Sequence, residues 1–257
     1  LKTSLSKMFL ITSGERSGKH ITSNTELNIR AFNKDGSGHG VALSTNLKDL
    51  EWEKSAKKAG EMAKRSRRGE LVKAGKYDCL LSRVVMGDLI SSAGSGLSAF
   101  YVDSGLSPFK DKIGKQIANK NITISDDPDI SDNPVDIPFD FEGVPRKKTI
   151  FVQNGKLKTY CHNGVTAKKY SVESTGHAGY VVPMPYSLVV EPGQTKSREL
   201  LKELKNGIYF TNTWYTRFQN YSTGEFSTIA RDAAFLVEDG EIVKPLKGAR
   251  ISDSIPR

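Results

Sequence analysis

The amino-acid sequence predicts an α+β fold that is strand-rich, with antiparallel sheets and a few helices. It falls into two domains, the N-terminal one incomplete. Three observations carry this. "TIFVQ" and "KLKTY" flank Asn154-Gly155, and "AAFLVEDGEIVKPL" turns at Asp239-Gly240. Both dipeptides favour the positive φ values of a type I′ turn, which joins adjacent antiparallel strands. Residues 8 to 44 alternate in the manner of half-buried strands. Helical spacing shows in three segments, near residues 49–67, 83–98 and 196–207.

Taken in order, "MFLITSG" is a strand closed by a turn. "HITSNTELNIRAFNKDGSGHGVALST" is a hairpin that turns in a Gly-rich loop at "KDGSG". The helix over 49–67, capped by Asn46 or Asp49, carries a narrow apolar stripe of Trp52, Ala56, Ala59 and Ala63. "YDCLLS" reads as a short buried strand. The change from it to the helix 83–98, capped by Ser82, marks a boundary. Residues 1–76 are the C-terminal part of an N-terminal α/β domain, a hairpin plus a basic helix. Residues 77–257 are a strand-rich C-terminal domain truncated at its end. Val85, Leu89, Ala93 and Leu97 form one seam of that helix. Its second half, "ISSAGSGLS", is made of very small residues. Glycine costs a helix about 1 kcal/mol relative to alanine, so the backbone there takes a close neighbour, either another element or a site. "IGKQIANKNITISDDP" runs from an amphipathic segment into a strand. The helix 196–207 ends at a glycine C-cap.

Net charge is +9. The excess lies in "KSAKKAGEMAKRSRRGELVK", and the acidic "SDDPDISDNPVD", read as a solvated loop, partly offsets it. A basic helix face is ordinarily a solvated face, so nucleic acid is not an expected partner on charge alone. No apolar run approaches the roughly 20 residues that span a bilayer, and no membrane is expected. Cys79 and Cys161 are too few for a disulfide framework. They read as buried free thiols of a cytoplasmic protein.

The four histidines, His20, His39, His162 and His177, are not paired at helical spacing, and no H-E-x-x-H, P-loop, EF-hand or G-x-S-x-G occurs. In "STGHAG", Gly176 and Gly179 allow a tight turn that exposes the imidazole of His177, beside the extended "VVPMPY". A turn histidine bonded to backbone is the plain alternative.

These residues resemble a known family. "GKQIANKNITISDDP", "PFDFEGVPRKKTIFVQNGKLKTY", "ESTGHAG", "LVVEPGQ" and "GEFSTIARDAAFLVEDGEIVKPLKGARI" occur in the order seen in the TldD/PmbA (TldD/TldE) zinc metalloproteases. Some members of that family carry the label modulator of DNA gyrase. The resemblance covers most of residues 77–257. The TldD branch has a helix motif H-E-x-x-x-H-G-L. Laid through "AGSGL", its first His falls on Ile90, its Glu on Ser91 and its second His on Ser95. Isoleucine cannot bind zinc, and serine replaces neither imidazole nor a carboxylate base. The resemblance therefore implies the PmbA/TldE branch, with no catalytic residue and no metal in this chain. Zinc is expected in a TldD-type partner. The branch's final segment, which carries a cysteine ligand in TldD, falls beyond "ARISDSIPR". The implied partner is a TldD-like subunit or a second copy, the implied substrate a peptide, and Thr175, Gly176 and His177 border its path. A nucleic-acid- or gyrase-associated modulator is the alternative.

Overall fold

The computed structural model describes residues 1–135 and 137–256, so the last residue of the acidic run, Asp136, and the terminal Arg257 lie outside the described residues. Three long strands come first, β1 (Lys2–Ile11), β2 (Ser17–Asn33) and β3 (Gly36–Ser44), in an antiparallel meander. The β2–β3 turn is Lys34-Asp35 alone, with Lys34 at φ 55. The glycines expected in that loop belong to β3 instead. A helix, α1 (Trp52–Arg65), lies on them. A Cβ on Gly36, Gly38 or Gly40 would stand 2.4, 2.2 or 2.0 Å from the carbonyl oxygens of Ala63, Ala59 and Ser55. Two strand residues advance about 6.8 Å and four helix residues about 6 Å. Every second position of β3 therefore meets every fourth of α1. The buried face of the helix is Ser55, Ala59 and Ala63, and Trp52 is exposed, unlike the stripe read from sequence. Asn46 caps a preceding 3-10 turn, accepting from Lys48 N.

The chain continues through β4 (Glu70–Leu71), β5 (Cys79–Leu81), α2 (Arg83–Gly94), α3 (Ala99–Asp103), β6 (Ile124–Asp126), β7 (Thr149–Gln153), β8 (Lys156–Leu157) and α4 (Gly164–Tyr170). It ends with β9 (Leu188–Val190), α5 (Leu200–Leu204), β10 (Gly207–Phe210), β11 (Thr213–Asn220), β12 (Glu225–Ala230), β13 (Ala234–Glu238), β14 (Glu241–Lys247) and β15 (Arg250–Ser254). The fold is α+β and strand-rich. Its sheets are ordered β4-β14-β13-β10-β5, β11-β12-β15 and β8-β7-β6-β9, beside the first meander. Pairing is antiparallel except where β5 and β4 join the five-stranded sheet in parallel.

Both sequence-predicted turns form, with Asn154 and Gly155 at φ 49 and 75 and Asp239 and Gly240 at φ 51 and 78. Three readings change. β5 is an edge strand rather than a buried one, and Cys79 is exposed while Cys161 is buried. The helix expected over 196–207 is only α5. Its left-handed end is Lys205 at φ 57, and Gly207 opens β10 because a Cβ there would meet Asp78 O at 2.3 Å. α4 has no apolar periodicity to announce it and stands on a capping box between Asn163 and Thr166.

Two apolar cores flank α2. Val85 and Leu89 enter one with Phe210 and Phe226, and Leu97 enters the other with Phe109, Phe151 and Leu157. Ser82 Oγ caps α2 by accepting from Val85 N at 3.3 Å. At Ser95–Leu97 the helix tightens into a 3-10 turn. The small residues there serve packing. A Cβ on Gly94 would lie 2.6 Å from Leu188 Cδ1, and one on Gly96 would lie 3.1 Å from the Phe109 ring.

Candidate functional site

Two sheets end beside α2. β5 closes one end of the five-stranded sheet and β9 one end of the four-stranded sheet, so each has an unpaired edge. Between them runs a cleft of about 560 Å³ walled by Leu81, Ile124, Leu188 and Val190, with Met86, Leu89 and Ile90 of α2 among its lining. A second lobe of about 500 Å³ shares Leu81, Met86, Ile90, Leu188 and Val190 and adds Arg83, Ser91, Pro185 and Tyr186. The walls are mostly aliphatic. An extended chain fits such a place. Edge amides and carbonyls pair with its backbone, and apolar walls take alternate side chains.

The degenerate motif positions divide at this cleft. Ile90 faces both lobes and Ser91 the second. Ser95 borders a separate small void with Leu106, Pro108, Phe218 and Tyr221, and its hydroxyl donates to Ser92 O at 3.0 Å. Among the described residues no group of three His, Cys, Asp or Glu side chains could hold a metal ion.

Thr175, Gly176 and His177 line neither lobe, and the His177 ring stands 6.2 Å from that of Tyr186 in the second lobe. The imidazole expected on an exposed turn is buried, at 1% exposure. His177 Nδ1 stands 2.9 Å from Thr175 Oγ1, and its ring meets Phe151 edge-on. Nε2 stands 3.6 Å from Asp126 Oδ2, close enough for charge to matter and too long for a hydrogen bond. Gly176 sits at φ 71, and a Cβ there would approach Pro145 O to 3.0 Å.

Sequence reasoning missed the centre of this network. Asp126 belongs to the acidic run read as a solvated loop, yet it ends β6 and is fully buried. It pairs with Arg146 Nη2 at 2.5 Å, both side chains at 1% exposure or less. Its Oδ2 accepts from Tyr186 N at 2.5 Å and Ser187 N at 2.7 Å. Burial would raise its pKa, but the His177 imidazole, the Ser187 amide and the Arg146 guanidinium together hold the carboxyl well below the usual range. Arg146 also donates to Ile137 O at 2.8 Å and lies over the Tyr186 ring. Asp140 accepts from Val144 N and Ala178 N, each at 2.9 Å. Burial first, then the Asp140 charge, push the Tyr186 hydroxyl above its ordinary value. The network fixes the segment that leads into β9, and so fixes one wall of the cleft.

The fold and this cleft define an α+β protein with an apolar groove between unpaired sheet edges. Residues 74–257 match the PmbA/TldA metallopeptidase C-terminal domain, and the chain belongs to the TldD/PmbA family. It is 33% identical over 191 residues to a metalloprotease of Methanocaldococcus jannaschii, covering 70% of this chain and 41% of that protein. To a metalloprotease PmbA homolog of Haemophilus influenzae it is 32% identical, covering 56% of this chain and 31% of that protein. The chain thus spans less than half the length of these two relatives. A crystal structure of a candidate DNA gyrase modulator from Thermotoga maritima superposes with TM-score 0.85 at 32% identity, over 93% of this chain and 56% of that one. TldE from Thermococcus kodakarensis shares the fold, with TM-score 0.81 at 22% identity over 94% of this chain and 57% of that one. No helix among the described residues is long and apolar enough to cross a membrane.

Proposed function

We propose that this chain is the PmbA/TldE-like, non-catalytic subunit of a cytoplasmic TldD/TldE-type peptidase. In this reading it holds an extended peptide while a TldD-type partner supplies zinc and cuts. One observation carries the reading most directly. The helix under the cleft presents Ile90 and Ser91 where the TldD motif has His and Glu, and neither side chain can ligate zinc or take a proton as a carboxylate does. The unpaired edges of β5 and β9 support strand addition of the peptide. Thr175, Gly176 and His177 then act through the wall they support rather than by touching substrate.

The test is co-expression with a TldD-type subunit, followed by size-exclusion chromatography and a cleavage assay on an unfolded peptide. The pair is expected to co-elute and cleave, and this chain alone is expected to be inactive. Full activity of the TldD-type subunit alone would remove this chain from the reaction. Zinc-dependent cleavage by this chain alone would overturn the non-catalytic assignment. A second copy in place of the TldD-type subunit would show as a homodimer.

A further inference from the structure

One end of the cleft is charged. Arg83, the first residue of α2, lines the second lobe beside Ser91 and Tyr186. Among the described residues its guanidinium has no carboxylate partner. Asp88, further along the same helix, is turned away and accepts from Thr216 Oγ1 at 2.6 Å. Burial first, then the Arg83 charge, lower the Lys58 ammonium from its ordinary value. Burial raises the half-buried Tyr209 hydroxyl above its ordinary value, and the Arg65 and Arg83 charges pull it back, while Arg231 lies 4.4 Å over the Trp214 ring. Asp232, next to Arg231 in sequence, has a fully buried side chain. It is held by Arg30 at 2.6 Å and by Asn212 Nδ2 at 2.6 Å. Like charges gathered from separate elements repel one another, and the resulting field favours an entering anion.

We propose that Arg83 is the carboxylate-recognising end of the cleft. An extended peptide lies over α2 with a carboxylate against the Arg83 guanidinium and apolar side chains against Met86, Ile90 and Leu188. The carboxylate is either the peptide's C-terminus or an acidic side chain. A planar guanidinium suits both, since it offers two parallel N–H donors to two oxygens. This assignment rests on the peptide-binding reading above and adds a chemical preference to it.

The experiment uses fluorescein-labelled hexapeptides of Ala, Val and Leu and measures their binding to the full chain by fluorescence anisotropy in about 0.1 M salt, where nearby charges still interact. One peptide ends in a free acid, one in a carboxamide, and one is a carboxamide with Glu in its last place. The free acid is expected to bind about five- to tenfold tighter than the plain carboxamide, the range of a partly exposed charged hydrogen bond. Arg83→Met removes that preference, so that acid and carboxamide bind alike. Arg83→Lys keeps part of it, and Lys54→Met, on the outer face of α1, leaves it intact. If the Glu carboxamide matches the free acid, side-chain carboxylates are accepted. If it matches the plain carboxamide, the C-terminus alone is read. Equal binding of acid and carboxamide, or a preference that survives Arg83→Met, overturns the assignment while the peptide cleft stands. Absence of binding by all three overturns both.

Discussion

Asp126 shows how much a single side chain can organise here, and why sequence could not announce it. It sits in "ITISDDPD", where a strand runs directly into an acidic turn. Neighbouring acids such as Asp129 are solvated, so composition points outward. Burial of both Ser125 and Asp126 breaks the alternation of an ordinary strand. Arg146 lies twenty residues on, and no local pattern links the two. Replacing Asp126 by Asn leaves the Arg146 charge buried and unpaired. Asp126→Asn is expected to destabilise by about 3–5 kcal/mol in urea denaturation. The carboxyl also has a pH signature. Its folded pKa is depressed below the unfolded value of about 3.9. Its contribution is complete above the unfolded pKa and is lost as pH falls through the folded one. Wild-type stability is therefore expected to fall steeply below about pH 4, and this part of the slope disappears in Asp126→Asn. An unchanged acid slope in the variant would show that other carboxyls dominate. His177→Ala loses the Thr175 contact and the edge-on packing against Phe151. The expected cost is about 2–3 kcal/mol of stability, larger than one hydrogen bond because a cavity remains. A variant as stable as the wild type would place His177 outside the network.

Elements were more legible than their roles. The hairpins at Asn154-Gly155 and Asp239-Gly240 follow from local turn chemistry alone, so the sequence reading of them holds. "GSGHG" is a different case. Glycines signal both loops and close approach, and only the helix lying on β3 decides between them. Gly38→Ala places a methyl 2.2 Å from Ala59 O, which forces α1 off the sheet. A loss of about 1–3 kcal/mol in thermal denaturation is expected. Gly60, on α1 itself, has nothing within 4 Å of an added Cβ. Gly60→Ala should stabilise by about 0.5–1 kcal/mol through helix propensity. If both changes have the same sign, the groove does not explain the glycines. On α2 the motif positions were legible as residue types but not as directions. Ile90 and Ser91 face the cleft, whereas Ser95 faces another void past the point where the helix tightens. The triple variant Ile90→His, Ser91→Glu, Ser95→His is therefore expected to retain no stoichiometric zinc after dialysis, by metal analysis. Stoichiometric zinc would mean that the helix rewinds to bring the two imidazoles together.

At the scale of the whole molecule, the first meander and α1 are tied to the sheets that follow by a few polar contacts. Arg30 of β2 donates to Asp232 Oδ1 through Nε at 2.9 Å and Nη2 at 2.6 Å. Ser37 donates to Asp232 O at 3.1 Å, and Asp132 accepts from Thr45 N at 2.8 Å. Lys247 pairs with Asp35 at 2.9 Å, with both side chains about half exposed, so salt and water screen that pair. Asp232 is the strongest tie because it is buried and its two oxygens hold different elements. Arg30 is 35% exposed, however, and water takes part of its charge when the carboxylate goes. Asp232→Asn should therefore cost about 1–2 kcal/mol rather than the full penalty of a buried pair. The loss should be local. Amide exchange is expected to speed up in β2, β3 and α1, while β6, β7 and the Asp126 network keep their protection, since local opening follows contiguous units. Uniform loss of protection across the chain would mean that the meander and the later sheets unfold as one unit. Unchanged exchange in β2 and β3 would mean that the glycine groove, not Asp232, holds the first sheet in place.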